Sequence, residues 1–220
     1  MIEAVIVAGG KGERMGGVYK QFSTVAGKEI LFYSIEQFFD YGVEKIILVL
    51  PEKKLSTSKK LITEFGNKIH VVSGGEKRQD SVYNGFKVTS SDIVLIHDAV
   101  RPFIEVDLID KIVKGVKKFG ICAPGLPVRD TLKLYKQDEI LWTRDRSNIL
   151  QVQTPQGFKR EILAHIISLF PKYNFTDELA FAEKLNYEIH WVEGDPFNIK
   201  ITYPLDMKLA EVIAKHLAST

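Results

Sequence analysis

The feature that most constrains this chain is the junction at its front. An apolar run, Ile2-Glu3-Ala4-Val5-Ile6-Val7-Ala8, breaks abruptly into Gly9-Gly10-Lys11-Gly12-Glu13-Arg14-Met15-Gly16-Gly17. A short apolar run bounded by glycines reads as a buried strand. The glycines let the backbone turn sharply and come close to a ligand. Lys11, Arg14 and Lys20 are threaded through and just beyond the turn. Backbone N–H groups in such turns point at anions, and the cations add full charge. The stretch reads as a cradle for a polyphosphate; a tight turn among solvated charges is its structural alternative. Two common glycine loops do not fit. Gly12 and Gly17 have P-loop spacing, but Val18-Tyr19 stands where Lys and Ser/Thr belong. Gly10 and Gly12 open a dinucleotide fingerprint, but Met15 occupies the place of its third glycine.

Beyond this loop the pattern alternates. Helical spacing covers Ile30 to Phe39 and stops at Gly42, and Lys45 to Leu50 is a nearly all-apolar strand ended by Pro51. A charged helix is expected near Leu55 to Phe65, then a strand at Ile69 to Ser73. A second glycine turn, Gly74 to Ser81, leads into a helix. The next strand, Ile93 to Ile96, ends in His97-Asp98-Ala99-Val100-Arg101-Pro102, and a helix near Glu105 to Phe119 precedes a strand at Ile121 to Ala123. Such alternation predicts βαβ units and an open, mostly parallel α/β sheet. After Pro124 it stops. Leu126 to Trp142 reads as a hairpin turning at Gln137-Asp138-Glu139, an arm off the body at about 126–150. A two-stranded arm is marginal alone, so packing on another subunit is expected. Val152 to Phe158 returns to the body. Helices follow near Lys159 to Phe170 and Asp177 to Leu185, short strands at Ile189 to Glu193 and Asn198 to Thr202, and a last helix near Pro204 to Leu217. All 220 residues then form a single domain.

Composition limits the partners. Lys+Arg is 30 and Asp+Glu is 28, a net charge of +2, which speaks against a general nucleic-acid binder but not against a local anion site. The single cysteine, Cys122, lies in an apolar run, which excludes a disulfide framework and reads as core. The five histidines show no metal-ligand spacing. No apolar run approaches membrane-spanning length and no signal peptide is legible, so the expected location is cytoplasmic.

In open α/β sheets, ligands sit beyond the carboxyl ends of the strands. Three loops qualify: Gly9 to Lys20, Gly74 to Ser81 and His97 to Pro102. The first offers glycines and cations. The second offers the Gly75 backbone, Arg78 and Ser81. The third offers Asp98, a carboxylate suited to Mg²⁺ held jointly with substrate phosphates. Arg78 also fits a solvated helix residue, Ser81 a cap, and Asp98 the start of a turn. No Ser-His-Asp or Cys-His pair is legible. A phosphate monoester nucleophile needs none, because its second pKa is about 6; it needs alignment and positive charge at the transition state.

Ala8-Gly9-Gly10-x-Gly12-x-Arg14-Met15 with Lys20-Gln21-Phe22 resembles the signature of sugar- and alditol-phosphate nucleotidyltransferases. Gly75-x-x-Arg78-x-x-Ser81-Val82, His97 to Pro102 and Gln153-Thr154-Pro155-Gln156 narrow the resemblance to the 2-C-methyl-D-erythritol 4-phosphate cytidylyltransferase family. It extends to Asn198-Ile199-Lys200-Ile201-Thr202. The resemblance implies a Rossmann-like nucleotidyltransferase sheet, CTP and a polyol phosphate as substrates, Mg²⁺ as cofactor, and a homodimer built through the arm. It implies that Arg14 and Lys20 stabilise the transition state and the leaving pyrophosphate. Ala8, Gly9, Gly10, Gly12, Gly75, Arg78 and Ser81 would hold the nucleotide, and Asp98 would face the triphosphate and its metal ion. Arg146 and Lys200 would grip the acceptor phosphate, assisted by Thr131, Thr154 and Thr176, with Thr131 and Arg146 serving the neighbouring subunit's site. Arg144, close to Arg146, is an alternative for that grip.

Three other readings stand beside this one. Ribitol-5-phosphate cytidylyltransferases share the glycine loop and the His-Asp-Ala-x-Arg-Pro stretch, but Ser81-Val82, Asp145-Arg146 and Thr176-Asp177-Glu178 resemble the erythritol enzymes. A non-catalytic CTP sensor is disfavoured by the presence of both cations, Arg14 and Lys20. A Rossmann oxidoreductase is disfavoured by Met15 and by Pro51 where an acidic residue should end the second strand.

Overall fold

The structure, a computed structural model, describes residues 1–10, 19–57, 63–170 and 172–219. These build an eight-stranded sheet. Its parallel half comprises β1 (Ile2–Val7), β4 (Lys45–Leu50), β5 (Ile69–Ser73) and β6 (Ile93–Asp98), in the order β6-β1-β4-β5. The intervening β2 (Thr24–Val25) and β3 (Lys28–Glu29) form a small ladder of their own. Beyond β6 lie β11 (Gln156–Lys159), β7 (Ile121–Pro127) and β10 (Leu150–Val152), and β12 (His190–Glu193) pairs with β7 in parallel. Only β10 and β11 run against the rest. The mostly parallel α/β sheet read from the sequence is the one observed.

β1, β4 and β6 are buried on both faces, and alternate residues enter different cores. Ala4, Ile6, Leu48 and Leu95 pack with Leu31, Ile35 and Phe38 of α1 (Ile30–Tyr41) and with Ile109, Ile112 and Val116 of α3 (Val106–Phe119). Val5, Ile47, Val49 and Ile96 pack on the other face with Val82 of α2 (Arg78–Phe86), Leu163 of α4 (Arg160–Ile167) and Phe181 of α5 (Glu178–Lys184). Gly42 ends α1 in the left-handed conformation, as the sequence predicts (φ 86°). A third cluster seats α6 (Pro204–Leu217) over Val25, Ile30, Phe103 and Ile201. Chain connections leave β1 toward β4 on one side, and return past it to β6 on the other. The resulting switch point opens a crevice at the carboxyl ends of β1 and β6, where Val7 and Asp98 are register partners.

Several boundaries differ from expectation. β7 continues to Pro127 because Leu126 pairs with Gln151 of β10. The arm's own ladder is therefore β8 (Leu132–Lys136) with β9 (Glu139–Arg144), turning at Gln137-Asp138 with Gln137 at φ 53°. It makes no ladder with the main sheet. Asn198 to Thr202 is not a strand. Its backbone groups are engaged elsewhere: the Asn198 carbonyl accepts from Arg101, the Ile201 N–H donates to the Val100 carbonyl, and the Thr202 N–H donates to Asp206. The charged helix expected at Leu55 to Phe65 falls partly outside the described residues; Glu52–Thr57 is a 3₁₀ segment.

One contact tests how tightly the helix layer sits on the sheet. A Cβ added to Gly85 of α2 would lie 2.4 Å from Val5 Cγ1 and 3.0 Å from Val49 Cγ2. Gly85→Ala should therefore destabilise the protein by about 1–3 kcal/mol through overpacking, despite alanine's better helix propensity. Urea unfolding of the two proteins measures it; an unchanged or raised midpoint would contradict this packing.

Candidate active site

A cleft of about 340 Å³ occupies the crevice, within the usual range of small-molecule sites, about 300–1,000 Å³. All three loops singled out in the sequence line it. Ala8, Gly9 and Gly10 come from the end of β1, Gly75 from the turn after β5, Arg78 and Ser81 from the start of α2, and Asp98 from the end of β6. Lys20 and Lys200 complete the wall. A larger hollow, about 720 Å³, lies at the opposite, amino end of the strands beneath Met1, Asp92 and Arg160, away from the switch point and its loops.

The two glycine turns are built against each other. Ser81 Oγ accepts from the Gly75 N–H (3.1 Å) and donates to the Lys77 carbonyl (3.3 Å). A Cβ on Gly9 would sit 3.0 Å from that same oxygen, and one on Gly75 would strike Asp80 Cβ at 2.3 Å. Those glycines are required by the fold. Gly10 is different: among the described residues nothing lies within 4 Å of a Cβ there, and its φ is not positive. The missing side chain at Gly10 therefore leaves that part of the cleft wall clear, although no described neighbour demands it. Gln21, which sequence reasoning did not single out, fastens this turn by donating to the Ala8 and Gly10 carbonyls.

A chain of charge runs along the floor. Glu178 accepts at both oxygens from Arg78 Nη1 (2.8 Å each), Arg78 Nε donates to Asp98 Oδ1 (3.0 Å), and Lys200 Nζ donates to Asp98 Oδ2 (2.6 Å). Burial alone would raise the Asp98 carboxyl, but Arg78 and Lys200 overcome it and hold the group well below the usual carboxylate range. Burial pushes the Glu178 carboxyl up, with Arg78 opposing. The Arg78 guanidinium, although desolvated, is held above its normal range by the two carboxylates. Lys20 is buried on a 3₁₀ turn, Lys20–Phe22, and donates to the carbonyls of Ile201 and Thr202 (3.1 Å each). In the described lining, Lys20, Lys77, Arg78 and Lys200 face only Glu76 and Asp98. That excess of cations suits a polyanionic ligand.

The remaining predicted residues divide into three groups. Thr154 is buried and outside the cleft lining. Its hydroxyl accepts from the Asp98 N–H (3.1 Å) and donates to His97 Nδ1 (3.1 Å), so it reaches the site by placing Asp98. Arg146, Thr131 and Thr176 are exposed and do not line this chain's cleft; Arg146 Nη1 donates to the Arg129 carbonyl at the foot of the arm. Gly12 and Arg14 lie outside the described residues. Residues the sequence did not reveal include Glu178 and Gln153. Gln153 bonds both backbone faces of Asp195 and so shapes the turn that delivers Lys200. Both sit in stretches singled out for other members, Thr176 to Glu178 and Gln153 to Gln156, which is the only signal that could have found them.

Comparisons with known proteins agree on one family. The family model for 2-C-methyl-D-erythritol 4-phosphate cytidylyltransferase matches residues 2–216. A protein of that name from Clostridium botulinum (strain Eklund 17B / Type B) is 40% identical, covering 97% of this chain and 99% of its own. Another from Clostridium beijerinckii is 38% identical over 99% and 100%. Among solved structures, 4-diphosphocytidyl-2C-methyl-D-erythritol synthase from Anaerococcus prevotii superposes with a TM-score of 0.87 at 26% identity, covering 97% and 96%. A 2-C-methyl-D-erythritol 4-phosphate cytidylyltransferase from Thermus thermophilus superposes with a TM-score of 0.84 at 28% identity, covering 98% and 100%.

Behind the cleft, His97 has no exposed surface and stacks edge-on against Phe38. Its Nε2–H donates to the Arg101 carbonyl and its Nδ1 accepts from Thr154, which fixes the neutral tautomer. Burial pulls its pKa down to about 4. The unfolded chain binds this proton near pH 6.5, so the contribution is complete above that value and is lost as pH falls toward 4. Between pH 7 and pH 5 the loss should be about 2 kcal/mol. Urea unfolding of wild type and His97→Asn at both pH values tests this: the variant should show a flatter dependence, and equal slopes would contradict it.

Proposed function

The chain belongs to the 2-C-methyl-D-erythritol 4-phosphate cytidylyltransferase family, and from that premise we propose how its cleft carries the transfer. CTP and 2-C-methyl-D-erythritol 4-phosphate react to give CDP-methylerythritol and pyrophosphate, a step in non-mevalonate isoprenoid precursor synthesis. The observation that carries this reading is the meeting of three loops, distant in sequence, in one cationic cleft at the sheet's switch point. An oxygen of the acceptor phosphate forms a bond to the α-phosphorus of CTP, and the bond from that phosphorus to the bridging oxygen of pyrophosphate breaks. No protein base is required, because the acceptor is mostly dianionic at neutral pH.

Each residue then has a physical task. The Ala8 to Gly10 turn and Gly75 bring backbone close to the nucleotide, with Ser81 fixing the two turns together and Arg78 at their edge. Lys20 and Arg14 supply positive charge to the crowded phosphorus and the departing pyrophosphate. Lys200 is held by Asp98 through one oxygen and is placed to exchange that carboxylate for the acceptor's phosphate. Among the described residues no cluster of His, Cys, Asp and Glu could hold a metal ion alone. One carboxylate in the cleft lining, Asp98, would instead hold a Mg²⁺ jointly with the substrate's phosphates. Such an ion offsets negative charge on the phosphates.

The arm supplies the rest. Tyr135, Ile140 and Trp142 expose 73%, 64% and 50% of their surface, on a two-stranded ribbon that is marginal alone, and exposed apolar groups clustered in this way mark an interaction surface. In our reading the arm packs on a second copy of the chain and carries Arg146 and Thr131 to that copy's acceptor pocket, while Thr176 serves at the start of α5. No helix among the described residues is long and apolar enough to cross a membrane, and a cytoplasmic location goes with the pathway's phosphorylated substrates.

Pyrophosphate release with CTP, Mg²⁺ and either methylerythritol 4-phosphate or ribitol 5-phosphate tests the reaction. Release with the first alone is expected; release with ribitol phosphate alone would change the acceptor, and CTP binding without release would make the protein a sensor. Arg14→Ala and Lys20→Ala should each lower kcat by about 10²–10³-fold, and Lys20→Ala should also lower the unfolding midpoint, because it leaves the Ile201 and Thr202 carbonyls without their donor; wild-type rates would remove them from the mechanism. Arg146→Ala should raise KM for the acceptor more than for CTP. Mixing Lys20→Ala and Arg146→Ala subunits should restore about a quarter of wild-type activity, because half the dimers are mixed and each holds one intact site. Absence of rescue would place Arg146 in its own subunit's cleft.

A further inference from the structure

Lys200 stands in a stretch that belongs to no strand, so no ladder fixes its backbone. Its ammonium meets Asp98 Oδ2 at 2.6 Å, and in the reading above it leaves that oxygen for the acceptor phosphate. From then on a long, flexible side chain is aimed by its backbone alone. What holds that backbone on the upstream side is a pair of buried amides, Gln153 (6% exposed) and Asn198 (0%). Gln153 Nε2 donates to the Asp195 carbonyl (2.8 Å) and its Oε1 accepts from the Asp195 N–H (3.1 Å), engaging both backbone groups as a neighbouring strand would. Asn198 Nδ2 donates to the Thr154 carbonyl (2.9 Å). A Cβ on Gly194 would lie 2.4 Å from Gln153 Oε1, so the turn is seated directly on that amide. Downstream, the Ile201 N–H donates to the Val100 carbonyl (2.9 Å). Lys200 is thus slung between two anchors. Thr154 serves both halves of the ion pair: its hydroxyl accepts from the Asp98 N–H, and its carbonyl receives Asn198.

We propose that Gln153 and Asn198 are positioning residues for the transfer reaction: they fix the backbone ahead of Lys200 to Thr154, the residue that also places Asp98, and so keep the lysine in register with the acceptor phosphate once it has left the carboxylate. The inference rests on the reading given above, in which Lys200 passes from Asp98 to that phosphate. Neither amide lines the cleft; they act through the segment that carries Lys200. The nucleotide's side of the cleft is fastened by other bonds, Ser81 to Gly75 and Gln21 to Ala8 and Gly10. The carbonyls that seat Lys20 belong to Ile201 and Thr202, whose own N–H groups are held by Val100 and Asp206. Loosening the amide pair therefore misaims Lys200 and spares CTP.

Asn198→Ala removes the bond to Thr154. Gln153→Met keeps the side chain's length and removes both of its polar groups. Each should lower kcat/KM for the acceptor about 10–100-fold, with KM for CTP unchanged. A variant that only loosened the fold would weaken both substrates. In a Lys200→Ala background each change should cost less than about 3-fold, because the group it acts through is gone. Both changes leave buried backbone groups unpaired, so rates are read well below each variant's unfolding midpoint. Should either variant fail to fold, Asn198→Ser and Gln153→Asn, which keep a polar group of shorter reach, are read in its place with the same expectation. Wild-type kinetics in the folded variants, equal losses for acceptor and CTP, or full multiplication with the Lys200→Ala loss would each overturn the proposal. An inactive wild-type protein would overturn the cytidylyltransfer reading itself, a separate outcome from an active enzyme that is indifferent to residues 153 and 198.

Discussion

The structure depends on one buried carboxylate being satisfied from two sides. Asp98 ends the central strand β6 with 6% of its surface exposed. Desolvation on that scale costs several kcal/mol unless charge is returned. Arg78 returns it from the helix after β5, and Lys200 from the segment leading to α6. Thr154 bonds the Asp98 backbone from the strand connection on the other side. Three separate parts of the chain are thus fixed relative to one aspartate. The same contacts that offset its burial define the cleft's floor, so stability and site geometry cannot be tuned independently there.

The scaffold was legible because its strands are written twice, once in apolar runs and once in the turn residues that end them. Lys45 to Leu50, closed by Pro51, and Ile69 to Ser73, closed by Gly74, have the bounds the sequence implies. The meeting of the two glycine turns and Asp98 in one cleft was equally legible, since all three lie at the carboxyl ends of strands. Buried polar partners were not. Glu178 looks like an ordinary acidic residue at a helix start, favourable to the helix dipole and expected in water. Its burial follows from the packing of α5 against α4 and from its ion pair with Arg78, which no local pattern records. Asn198 to Thr202 looks like a strand because Ile199 and Ile201 alternate with polar residues. Those polar residues instead bond with side chains of the site, and no neighbouring strand is present to receive a ladder.

The arm shows the opposite relation between sequence and context. Its hairpin pattern is plain, and the break in βαβ alternation marks its base. What the pattern could not give is where the body stops, because Leu126 and Leu150 flank the arm yet belong to the sheet edge through β7 and β10. Exposed aromatic residues on a ribbon without a ladder to the body make sense only with a further surface to cover them. In our reading that surface is a second copy, which also explains why Arg146 and Thr131 are so far from their own cleft.

The grip of Lys20 on the carbonyls of Ile201 and Thr202 joins residues about 180 positions apart. During synthesis the glycine turn leaves the ribosome early, and the carbonyls that seat its lysine follow some ten to forty seconds later at about 5–20 residues per second. The parallel sheet can assemble in the interval, but the floor of the cleft cannot. A nascent chain therefore carries a folded body without a finished site, and phosphorylated metabolites meet a competent enzyme only after nearly the whole polypeptide is free to close on its own beginning.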